Sequence, residues 1–392
     1  ILGSPHRVGV TRVRVGLDGL LMGGKAGVRR TGISRYETEL AGALLRISLG
    51  DELFLYAQSA LPELSDDGTW RTPPFSVSNP AARLAWEHTG MVVQARRDRL
   101  DLLHGMAFVI PPAWRKPSVV SIHDLALLKI DGHAPKRRTA YLRAMIGQSV
   151  RRSQRVIAIS SQTKADIVEL FDIDPEKIVV TPLGVPAHLK PLDPEARDAF
   201  RCANNLIRPT LLYVGTLEPR KNIPNLLRAF DLVAANTDAE LVLGGAEGWL
   251  TEELHQTLGT MRARDRVRLT GFIPEADLAS WLSAADVFVF PSRYEGFGLP
   301  PLEAMACGTP VVSSTSSSLP EVLGDDALLA DPDDIEGIAS AIERLLTDAA
   351  LAADLRGRGI QRAATFTWEA TARLTLETYR NALRVRETQR SS

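Results

Sequence analysis

The sequence has little of what marks several large classes of protein. Its 392 residues include only two cysteines, which excludes a disulfide framework and is typical of a reducing compartment such as the cytoplasm. The seven histidines form no H-x-x-x-H pattern and no cysteine–histidine cluster, so we expect no bound metal. No apolar run approaches the roughly 18 residues that cross a bilayer. The first residues also lack the charged-then-apolar layout of a signal peptide, and we interpret them as a short tail.

An excess of charge of either sign is missing as well. The chain has 46 lysines and arginines against 47 aspartates and glutamates, a formal net charge of −1. Without a basic excess there is no general attraction for nucleic acid, which we therefore do not expect as a partner. An apolar content of 45% describes a globular protein, and the length exceeds what one hydrophobic core usually organises. We therefore predict two domains.

Short apolar runs alternate with longer periodic stretches along the whole chain, which is the pattern of an α/β fold. In the first half we predict strands at 13–18, 53–56, 102–104, 119–123, 156–159 and 178–181, and helices near 33–47, 136–152 and 161–171. In the second half we predict strands at 211–214, 241–243, 267–270, 287–290, 311–313 and 327–330, each followed by a helix. The polar, proline-bearing stretch 182–209 is expected to be a linker, and 368–389 a long amphipathic helix. Two doubly wound halves would bind a ligand near the carboxyl ends of their strands.

One stretch, residues 291–310, carries most of the functional signal and reads PSRYEGFGLPPLEAMACGTP. It follows the apolar run 287–290, which has the length and the bounds of a buried strand. It continues into good helix formers that end at Gly308 and Pro310. The predicted order is therefore a strand, a glycine-bearing loop and the start of a helix.

Such a loop suits a phosphate group. Backbone N–H groups at a helix start attract anions, and Gly296 and Gly298 have no Cβ to obstruct a close approach. The carboxylate of Glu303, in the first helical turns, is placed to accept hydrogen bonds from two ribose hydroxyls. Glu295 lies on the loop itself, close to the group that is attached to the phosphate. The pattern indicates a site for a nucleotide sugar.

Four linked segments resemble a known family. Glu295 and Glu303 have the E-x7-E spacing, and with them occur YVGTLEPRKN at 213–222, SIHDLALL at 121–128 and GISRY at 32–36. Together these segments resemble the retaining glycosyltransferases of the GT-B architecture, family 4. That resemblance implies two Rossmann-like, doubly wound α/β domains facing a cleft. Residues 1–184 would be the acceptor-side domain, completed by a C-terminal helix at 372–389, and residues 185–371 the nucleotide-sugar-binding domain.

The resemblance implies catalytic roles for His123, Arg220, Lys221 and Glu295. The arginine fork and the lysine ammonium suit the phosphate that departs from the sugar. His123 would bond a sugar hydroxyl or line the reaction centre. Glu295 would bind the donor sugar, with a nucleophilic role as the alternative. Many members carry arginine directly after the loop glycine, where this chain has Thr216, so one phosphate contact is expected to be lost or shifted to Arg220.

Further binding residues are implied by the same resemblance. On the donor side they are Gly215, Thr216, Gly271, Phe272, Ile273, Gly296, Phe297, Gly298, Leu299 and Glu303. In the resembled enzymes the turn at 270–273 approaches the nucleobase through its backbone, so the side chains there do not identify the base. On a loop for the acceptor or the diphosphate they are Gly23, Gly24, Gly32 and Asp124. For Asp124 the alternative is to cap the helix that follows.

Two other nucleotide-binding patterns are nearly matched. Residues 19–25 read GLLMGGK, close to a P-loop, but Ala26 stands where a serine or threonine should hold Mg²⁺. The glycines after the first predicted strand do not have the G-x-G-x-x-G spacing of an NAD site. A nucleoside triphosphatase and an NAD enzyme are therefore disfavoured.

The stretch between Gly132 and Ala165 has no acidic residue and eight basic ones: Lys136, Arg137, Arg138, Arg143, Arg151, Arg152, Arg155 and Lys164. One interpretation is a solvated helix whose other side faces the core. The alternative is that 136–155 forms a surface patch for an anionic lipid headgroup or a diphosphate-linked lipid acceptor. The protein would then lie peripherally on the inner face of the membrane.

Taken together, the resemblance implies a metal-independent enzyme that moves a hexose from a nucleotide sugar to an acceptor hydroxyl with retention. The sequence motifs VGLDG, TGISRYETEL, IHDL and GTLEPRKN most resemble those of bacterial mannosyltransferase-like members of the family. They favour GDP-mannose as donor, with UDP- and dTDP-sugars as alternatives and no cofactor. The acceptor would be a glycan, a lipid-linked or a small molecule. Two alternative hypotheses remain: a phosphorylase-like or synthase-like relative, and a sugar-nucleotide-binding protein that has lost its catalytic activity. The retained motif residues argue against the second.

Overall fold

The computed structural model describes residues 12–22, 32–48, 50–61, 64, 68–77, 79–130, 136–248 and 251–391. The chain divides into two compact units. Unit 1 contains the chain up to Ile159, Thr163–Pro182 and the chain from Trp368 onward, and unit 2 contains Ser160–Gln162 and Leu183–Thr367. The domain boundaries expected from the sequence, after 184 and after 371, lie within a few residues of these divisions.

Unit 1 is built on a parallel sheet of seven strands. In chain order they are β1 (Arg14–Asp18), β2 (Glu52–Tyr56), β3 (Thr69–Arg71), β4 (Leu102–Gly105), β5 (Ser118–Ile122), β6 (Arg155–Ala158) and β7 (Ile178–Val180). Across the sheet the order is β3-β2-β1-β4-β5-β6-β7. Every residue of β4 and β5 is buried, as expected of a parallel sheet that is covered on both faces.

The helices of unit 1 are α1 (Gly32–Ile47), α2 (Pro80–Ala85), α3 (Met91–Arg97), α4 (Ala126–Lys129), α5 (Lys136–Arg152), α6 (Ser161–Phe171) and, at the end of the chain, α15 (Trp368–Ser391). A π-helical turn, Trp86–Gly90, joins α2 to α3. The C-terminal helix α15 packs along α1. Its Tyr379 hydroxyl hydrogen-bonds to Nδ1 of His104 in β4 at 2.7 Å, which fixes the helix to the sheet of unit 1.

Unit 2 is built on a parallel sheet of six strands. They are β8 (Thr210–Val214), β9 (Glu240–Gly244), β10 (Val267–Gly271), β11 (Val287–Phe290), β12 (Val311–Ser314) and β13 (Leu328–Ala330), in the order β10-β9-β8-β11-β12-β13. Its helices are α7 (Pro194–Ala203), α8 (Ile223–Asn236), α9 (Glu252–Thr260), α10 (Glu275–Ala284), α11 (Leu299–Ala306), α12 (Leu319–Leu323), α13 (Ile335–Thr347) and α14 (Ala349–Ala364). Both units therefore have the doubly wound α/β fold that the sequence predicts.

Each sheet reverses its direction of winding once. In unit 1 the chain leaves β1 towards β2 and β3 and later returns to β4 on the other side of β1, and in unit 2 it does the same at β8 and β11. The connections from the two central strands then diverge and leave a crevice at the carboxyl ends, where such folds bind ligands. We call these places the unit 1 switch point, between β1 and β4, and the unit 2 switch point, between β8 and β11.

The sequence missed three elements. The strand β3 has only three residues, all half-buried, so it leaves no clear apolar run. The helical segment from Pro80 to Arg97 was not predicted, although Asn79 caps its first turn by accepting a hydrogen bond from the N–H of Ala81. The linker predicted at 182–209 is wrong in part, because α7 lies within it. Asp193 at the N-cap and Pro194 at the first helical position are a helix-start signal.

Candidate functional site

The unit 2 switch point collects residues from two distant parts of the chain. The strand β8 is followed by a short 3₁₀ turn, Pro219–Lys221, and β11 is followed by the loop that carries Glu295. Because β8 and β11 are paired, the two loops meet at their carboxyl ends. Asn222 ends the turn in the left-handed conformation with a φ of 60°. Its side-chain amide donates to the carbonyl of Pro291 at 3.2 Å and so fastens one loop to the other.

Arg220, Lys221 and Glu295 form a buried ion-pair cluster there. Nζ of Lys221 lies 2.5 Å from Oε1 of Glu295, and Nη1 of Arg220 lies 3.0 Å from Oε2. Nε of Arg220 lies 2.5 Å from a carboxylate oxygen of Glu218. The side chains of Lys221 and Glu295 are each only 8% exposed. The two cations that were predicted to meet a phosphate are therefore held in place by carboxylates.

The cluster keeps Glu295 ionised. Burial alone would raise the pKa of its carboxyl group, but Arg220, Lys221 and a hydrogen bond from Ser292 lower that pKa to about 2. Burial lowers the pKa of Lys221, and the adjacent carboxylate opposes that change. Nζ of Lys221 also lies 4.8 Å from the ring centroid of Phe290, within cation–π range. A carboxylate with so low a pKa accepts protons poorly at neutral pH, so its chemistry favours binding over general-base catalysis.

Three serines that the sequence analysis did not single out fix Glu295. Ser292 donates from Oγ to Oε1 of the carboxylate at 2.6 Å. Ser317 and Ser318 donate to the backbone carbonyl of Glu295 at 2.6 and 2.9 Å. The position of Ser292, three residues before Glu295 on the same loop, was a signal that could have been used. Ser317 and Ser318 follow β12, and only the fold shows that this loop reaches Glu295.

The glycine-bearing loop leads into α11 as predicted. Gly298 is the N-cap residue with a φ of 103°, a conformation that favours glycine, and a Cβ there would lie 2.7 Å from Leu319. Because the prolines at 300 and 301 have no N–H, the backbone N–H groups at this helix start belong to the residues before them. Glu303 lies in the second turn of α11 and is 4% exposed.

The other residues implied for the donor take different positions. The ring of Phe297 is buried and packs edge-on against Phe366 at 5.7 Å, so a ligand could reach only its backbone, and Leu299 is half-buried at the start of α11. The side chain of Ile273 is buried against Gly244. At the end of β10, Gly271 has a φ of 70° and the ring of Phe272 is 53% exposed.

Gly215 and Thr216 lie directly after β8, between that strand and the turn with the two cations. The carbonyl of Thr216 accepts a hydrogen bond from the Tyr213 hydroxyl at 3.0 Å. A Cβ at Gly245 would lie 1.7 Å from the carbonyl oxygen of Gly215, so this close approach of the loops after β8 and β9 requires glycine at position 245. The backbone is therefore tightly packed next to Thr216, the position where many members of the resembled family carry an arginine.

His123 follows β5 in unit 1 and is buried. Its Nε2 donates to the carbonyl of Met106 at 2.8 Å, which places the ring proton on Nε2 because a carbonyl can only accept. Burial lowers the pKa of His123, so the imidazole is neutral and Nδ1 keeps a lone pair for a hydrogen-bond donor. The rings of Tyr36 and Phe108 contact it edge-on at 4.5 and 5.4 Å.

A buried hydrogen-bond chain lies behind His123, and no motif in the sequence indicated it. The Tyr36 hydroxyl bonds to Oγ of Ser121 at 2.7 Å, and that Oγ bonds to Nε2 of His104 at 2.7 Å. The chain ends at the Tyr379 hydroxyl, on α15. Burial and the neighbouring His123 lower the pKa of His104 to about 3. The ring of Tyr36, which contacts His123, is therefore held by three polar side chains in series: Ser121, His104 and Tyr379.

Of the remaining predicted site residues of unit 1, the structure describes Asp124 and Gly32. Asp124 accepts a hydrogen bond from the N–H of Ala126, the first residue of α4, at 3.0 Å, although the N-cap residue of that helix is Leu125. Gly32 is the first residue of α1, and a Cβ there would meet no atom within 4 Å. Gly23 and Gly24 lie outside the described residues.

The basic stretch is divided between two roles. Arg151, Arg152 and Lys164 donate to backbone carbonyls of Phe171, Pro112 and Ile178 within unit 1. Arg137, Arg138 and Arg143 on α5 are exposed, and so is Arg151. Hydrogen bonds within unit 1 therefore hold three of the basic side chains. Arg137, Arg138 and Arg143 remain on the surface of the helix.

Neither a metal cluster nor a membrane span is found within the described part of the chain. No three histidine, cysteine, aspartate or glutamate side chains among the described residues are grouped so that they could hold a metal ion. None of the described helices is long and apolar enough to cross a bilayer.

Comparison with known proteins identifies the family. Residues 30–189 match the profile described as Glycosyltransferase Family 4, and residues 208–348 match Glycosyl transferases group 1. O-antigen chain mannosyltransferase B of Escherichia coli is 32% identical over 366 residues, which cover 89% of this chain and 96% of that protein. The chain belongs to the group 1 glycosyltransferases of family 4. D-inositol 3-phosphate glycosyltransferase of Frankia alni is 30% identical, over 90% of this glycosyltransferase and 95% of the relative.

Solved structures share the fold of this glycosyltransferase. Sucrose-phosphate synthase from Thermosynechococcus elongatus has a TM-score of 0.77 at 23% identity, covering 95% of this chain and 100% of that one. HepE of Anabaena in complex with UDP and glucose has a TM-score of 0.71 at 20% identity, covering 94% and 99%. These similarities confirm the predicted GT-B architecture of two Rossmann-like domains.

Proposed function

We propose that this glycosyltransferase moves a hexose from a nucleoside-diphosphate sugar to an acceptor hydroxyl, with retention and without a metal. The observation that carries the proposal is the buried cluster of Arg220, Lys221 and Glu295 at the unit 2 switch point. Departure of the sugar leaves negative charge on the diphosphate, and fixed cations in a water-poor site stabilise such charge without reorganising. Ligands of doubly wound sheets bind at this place.

In the proposed reaction the two cations contact the diphosphate while Glu295 orients the hexose. Both carboxylate oxygens of Glu295 are engaged, Oε1 by Lys221 and Ser292 and Oε2 by Arg220, which disfavours attack on the anomeric carbon. We therefore propose front-face displacement, in which the acceptor oxygen bonds to the anomeric carbon as the bond to the phosphate breaks. The acceptor proton goes to the departing phosphate oxygen. Determining the anomeric configuration of the product by NMR tests retention.

Three further roles rest on burial, exposure and hydrogen-bonding capacity. We propose that Glu303, buried in α11, accepts hydrogen bonds from the ribose hydroxyls. The exposed ring of Phe272 beside the Gly271 turn offers an apolar surface to the nucleobase. The free lone pair on Nδ1 of His123 would accept a hydrogen bond from a sugar hydroxyl. Each of these roles agrees with the position that the family resemblance implied.

GDP-mannose is the proposed donor. It is supported by the similarity to a mannosyltransferase over nearly the full length of both chains. A UDP-sugar is the alternative, favoured by the complex of HepE with UDP and glucose, although that likeness supports the fold alone. The intact ion-pair cluster supports an active enzyme over a degenerate binding protein. A phosphorylase-like or synthase-like activity would differ in its acceptor.

Calorimetry with GDP, UDP and dTDP on the full chain tests the proposal and identifies the base. We expect GDP to bind most tightly, and the variant Lys221→Ala to weaken the binding of whichever nucleotide binds. A folded protein that binds none of the three would contradict the proposal. Sugar transfer should persist in EDTA, since the cations are side chains. Activity lost in EDTA and restored by Mg²⁺ or Mn²⁺ would overturn the metal-free mechanism.

We propose that the reaction takes place in the cytoplasm, where nucleotide sugars are present. Contact with the inner membrane face through 136–155 would rest on Arg137, Arg138 and Arg143, because the other described basic side chains of α5 bond within unit 1. Sedimentation with anionic vesicles, compared between the wild type and the triple alanine variant, tests that contact. Equal sedimentation of the two proteins would rule it out.

A further inference from the structure

The buried hydrogen-bond chain runs through unit 1 from its last helix to the neighbourhood of His123. The Tyr379 hydroxyl on α15 bonds to Nδ1 of His104, and Nε2 of that ring bonds to Oγ of Ser121. The same Oγ bonds to the hydroxyl of Tyr36 on α1. Each of the three bonds is 2.7 Å long, and none of the four side chains is more than 2% exposed. Polar groups in an apolar core are costly unless each is hydrogen-bonded, so the series is held as one unit.

The hydrogen-bond chain has a direction, because His104 is neutral. Burial and the neighbouring His123 lower the pKa of His104 to about 3, so at neutral pH one ring nitrogen donates and the other accepts. If the Tyr379 hydroxyl donates to Nδ1, then Nε2 donates to Ser121, and Ser121 in turn donates to Tyr36. Hydrogen bonds in such a series polarise one another. Removal of the hydroxyl at one end therefore weakens the bond at the other end.

The sequence of α15 places two aromatic residues against this hydrogen-bond chain. One buried face of the helix is formed by residues at intervals of four, three and four positions: Trp368, Ala372, Thr375 and Tyr379. The ring of Trp368 lies 6.2 Å from the ring of Tyr36, while Tyr379 forms the opposite end of the series. The two contacts are about 16 Å apart along the helix. Because α15 is attached at both places, it fixes the hydrogen-bond chain over its whole length.

The ring of Tyr36 passes this restraint to His123. The two ring centroids are 4.5 Å apart at an interplanar angle of 85°, an edge-to-face contact with a preferred geometry. Thr163 donates to the backbone carbonyl of His123 at 3.3 Å, and Nε2 donates to the carbonyl of Met106 at 2.8 Å. These two bonds hold the main chain and the tip of the imidazole, whereas the rings of Tyr36 and Phe108 define its plane. The plane decides where the lone pair on Nδ1 points.

We propose that Ser121, His104 and Tyr379 are positioning residues for the transfer reaction. Through Tyr36 they hold the imidazole of His123 in the plane in which its Nδ1 meets the sugar hydroxyl. The inference rests on the proposed function, because it adds residues to the same reaction centre. It also gives α15 a role besides completing the fold of unit 1. If the hydrogen-bond chain only fastened α15 to the sheet, its loss would lower stability and leave the turnover of folded protein unchanged.

Kinetics of Tyr379→Phe test the proposal, since this variant removes the hydroxyl at the end far from His123 and keeps the ring. The probe is the release of GDP from GDP-mannose, with water or methyl α-mannoside as the acceptor. We expect kcat to fall about 10-fold, because a small misplacement of a reacting group is costly, and KM for the donor to stay within about 2-fold. Glu369→Gln is the matched control. It breaks an exposed pair between α15 and Arg46 of α1 and should leave kcat unchanged.

Two further measurements separate positioning from stability. In a double-mutant cycle, Tyr36→Phe should lower kcat at least as much as Tyr379→Phe does. The double variant should be no slower than Tyr36→Phe alone, because both hydroxyls act through one contact. In protein with ¹⁵N-labelled histidine, NMR should show a shift of the His123 ring nitrogens in Tyr379→Phe and none in Glu369→Gln.

Three outcomes are decisive. A kcat within about 2-fold of the wild type in folded Tyr379→Phe would overturn the proposal. Strictly additive losses in the double variant would overturn it as well, because the two hydroxyls would then act independently. If Tyr379→Phe does not fold, Tyr36→Phe alone decides by the same criterion for kcat. A wild type that binds no nucleoside diphosphate would refute the proposed function instead, and the His123 shift would still show whether the hydrogen-bond chain positions the ring.

Discussion

The two switch points have the same topology and opposite chemistry. In unit 2 the carboxylate of Glu295 is paired with Arg220 and Lys221, and its pKa falls to about 2. In unit 1 the carboxylate of Glu37 is buried without a described cation, and burial raises its pKa. One fold therefore provides a place where a carboxylate is paired with fixed cations and a place where a carboxylate is buried without one. Because the two sheets have the same topology, the side chains on the loops, and not the sheet, account for this contrast.

The largest predicted effect is on stability in unit 2. Glu295→Ala leaves Lys221 buried without a partner, and we expect a loss of about 3–5 kcal/mol in the free energy of unfolding. Urea denaturation followed by circular dichroism measures it. The control is Glu253→Ala, which breaks an exposed pair with Arg228 and should cost less than about 1 kcal/mol. Equal losses in the two variants would show that the buried cluster does not stabilise the unit.

The second prediction concerns catalysis at the same switch point. In the proposed reaction Lys221 faces charge that grows as the sugar departs, so Lys221→Ala should lower kcat/KM for the donor about 10²-fold or more. Arg220→Ala should act similarly, and more severely if Arg220 replaces the contact that is absent at Thr216. Donor kinetics on folded variants decide this, with Arg228→Ala as the basic-residue control. A raised KM with kcat within about 2-fold of the wild type would mean that the pair binds the ground state and the transition state alike.

The third prediction is smaller and concerns the ribose. Glu303→Gln should weaken nucleoside diphosphate binding by about 1.5–3 kcal/mol, the worth of hydrogen bonds to a charged acceptor. Calorimetry measures the change, and Glu336→Gln on an exposed position of α13 serves as the control. An unchanged affinity in the folded Glu303 variant would remove this residue from the nucleotide site.

The smallest predicted effect has the opposite sign and lies in unit 1. Because the folded pKa of Glu37 is raised, its contribution to stability is complete below the unfolded pKa and is lost as the pH rises through the folded pKa. Glu37→Gln should therefore gain stability relative to the wild type at pH 8, on the order of 1 kcal/mol, and the gain should vanish towards pH 4. Thermal unfolding across this range tests it. A variant that is less stable than the wild type only at high pH would contradict the account of Glu37 as a buried carboxyl group with a raised pKa.

The sequence predicted the strands and the central helices well because parallel buried strands are continuous apolar runs. It also placed Lys221 and Glu295 on loops after strands, from which their proximity follows once the strand order is known. The salt bridge between them could not be predicted, because an E-x7-E pattern does not specify which cation a glutamate meets 74 residues away. The buried Oε1 of Glu37, which has no hydrogen-bond partner among the described residues, was equally invisible, since burial and hydrogen bonding depend on the packing of several elements. The π turn at Trp86–Gly90 has no composition of its own that would distinguish it from an α-helix.

The most direct test of the contrast between the switch points is the affinity of a nucleoside diphosphate for two variants, each lacking one cation. Calorimetry should compare Lys221→Ala at the unit 2 switch point with Arg83→Ala, in the wall of the cavity that Asp18 and Glu37 line at the unit 1 switch point, using the nucleotide that binds the wild type most tightly. We predict that Lys221→Ala weakens binding about 10-fold or more and that Arg83→Ala leaves it within about 2-fold. An equal or larger loss in Arg83→Ala, with Lys221→Ala unaffected, would place the diphosphate in unit 1 and contradict the account.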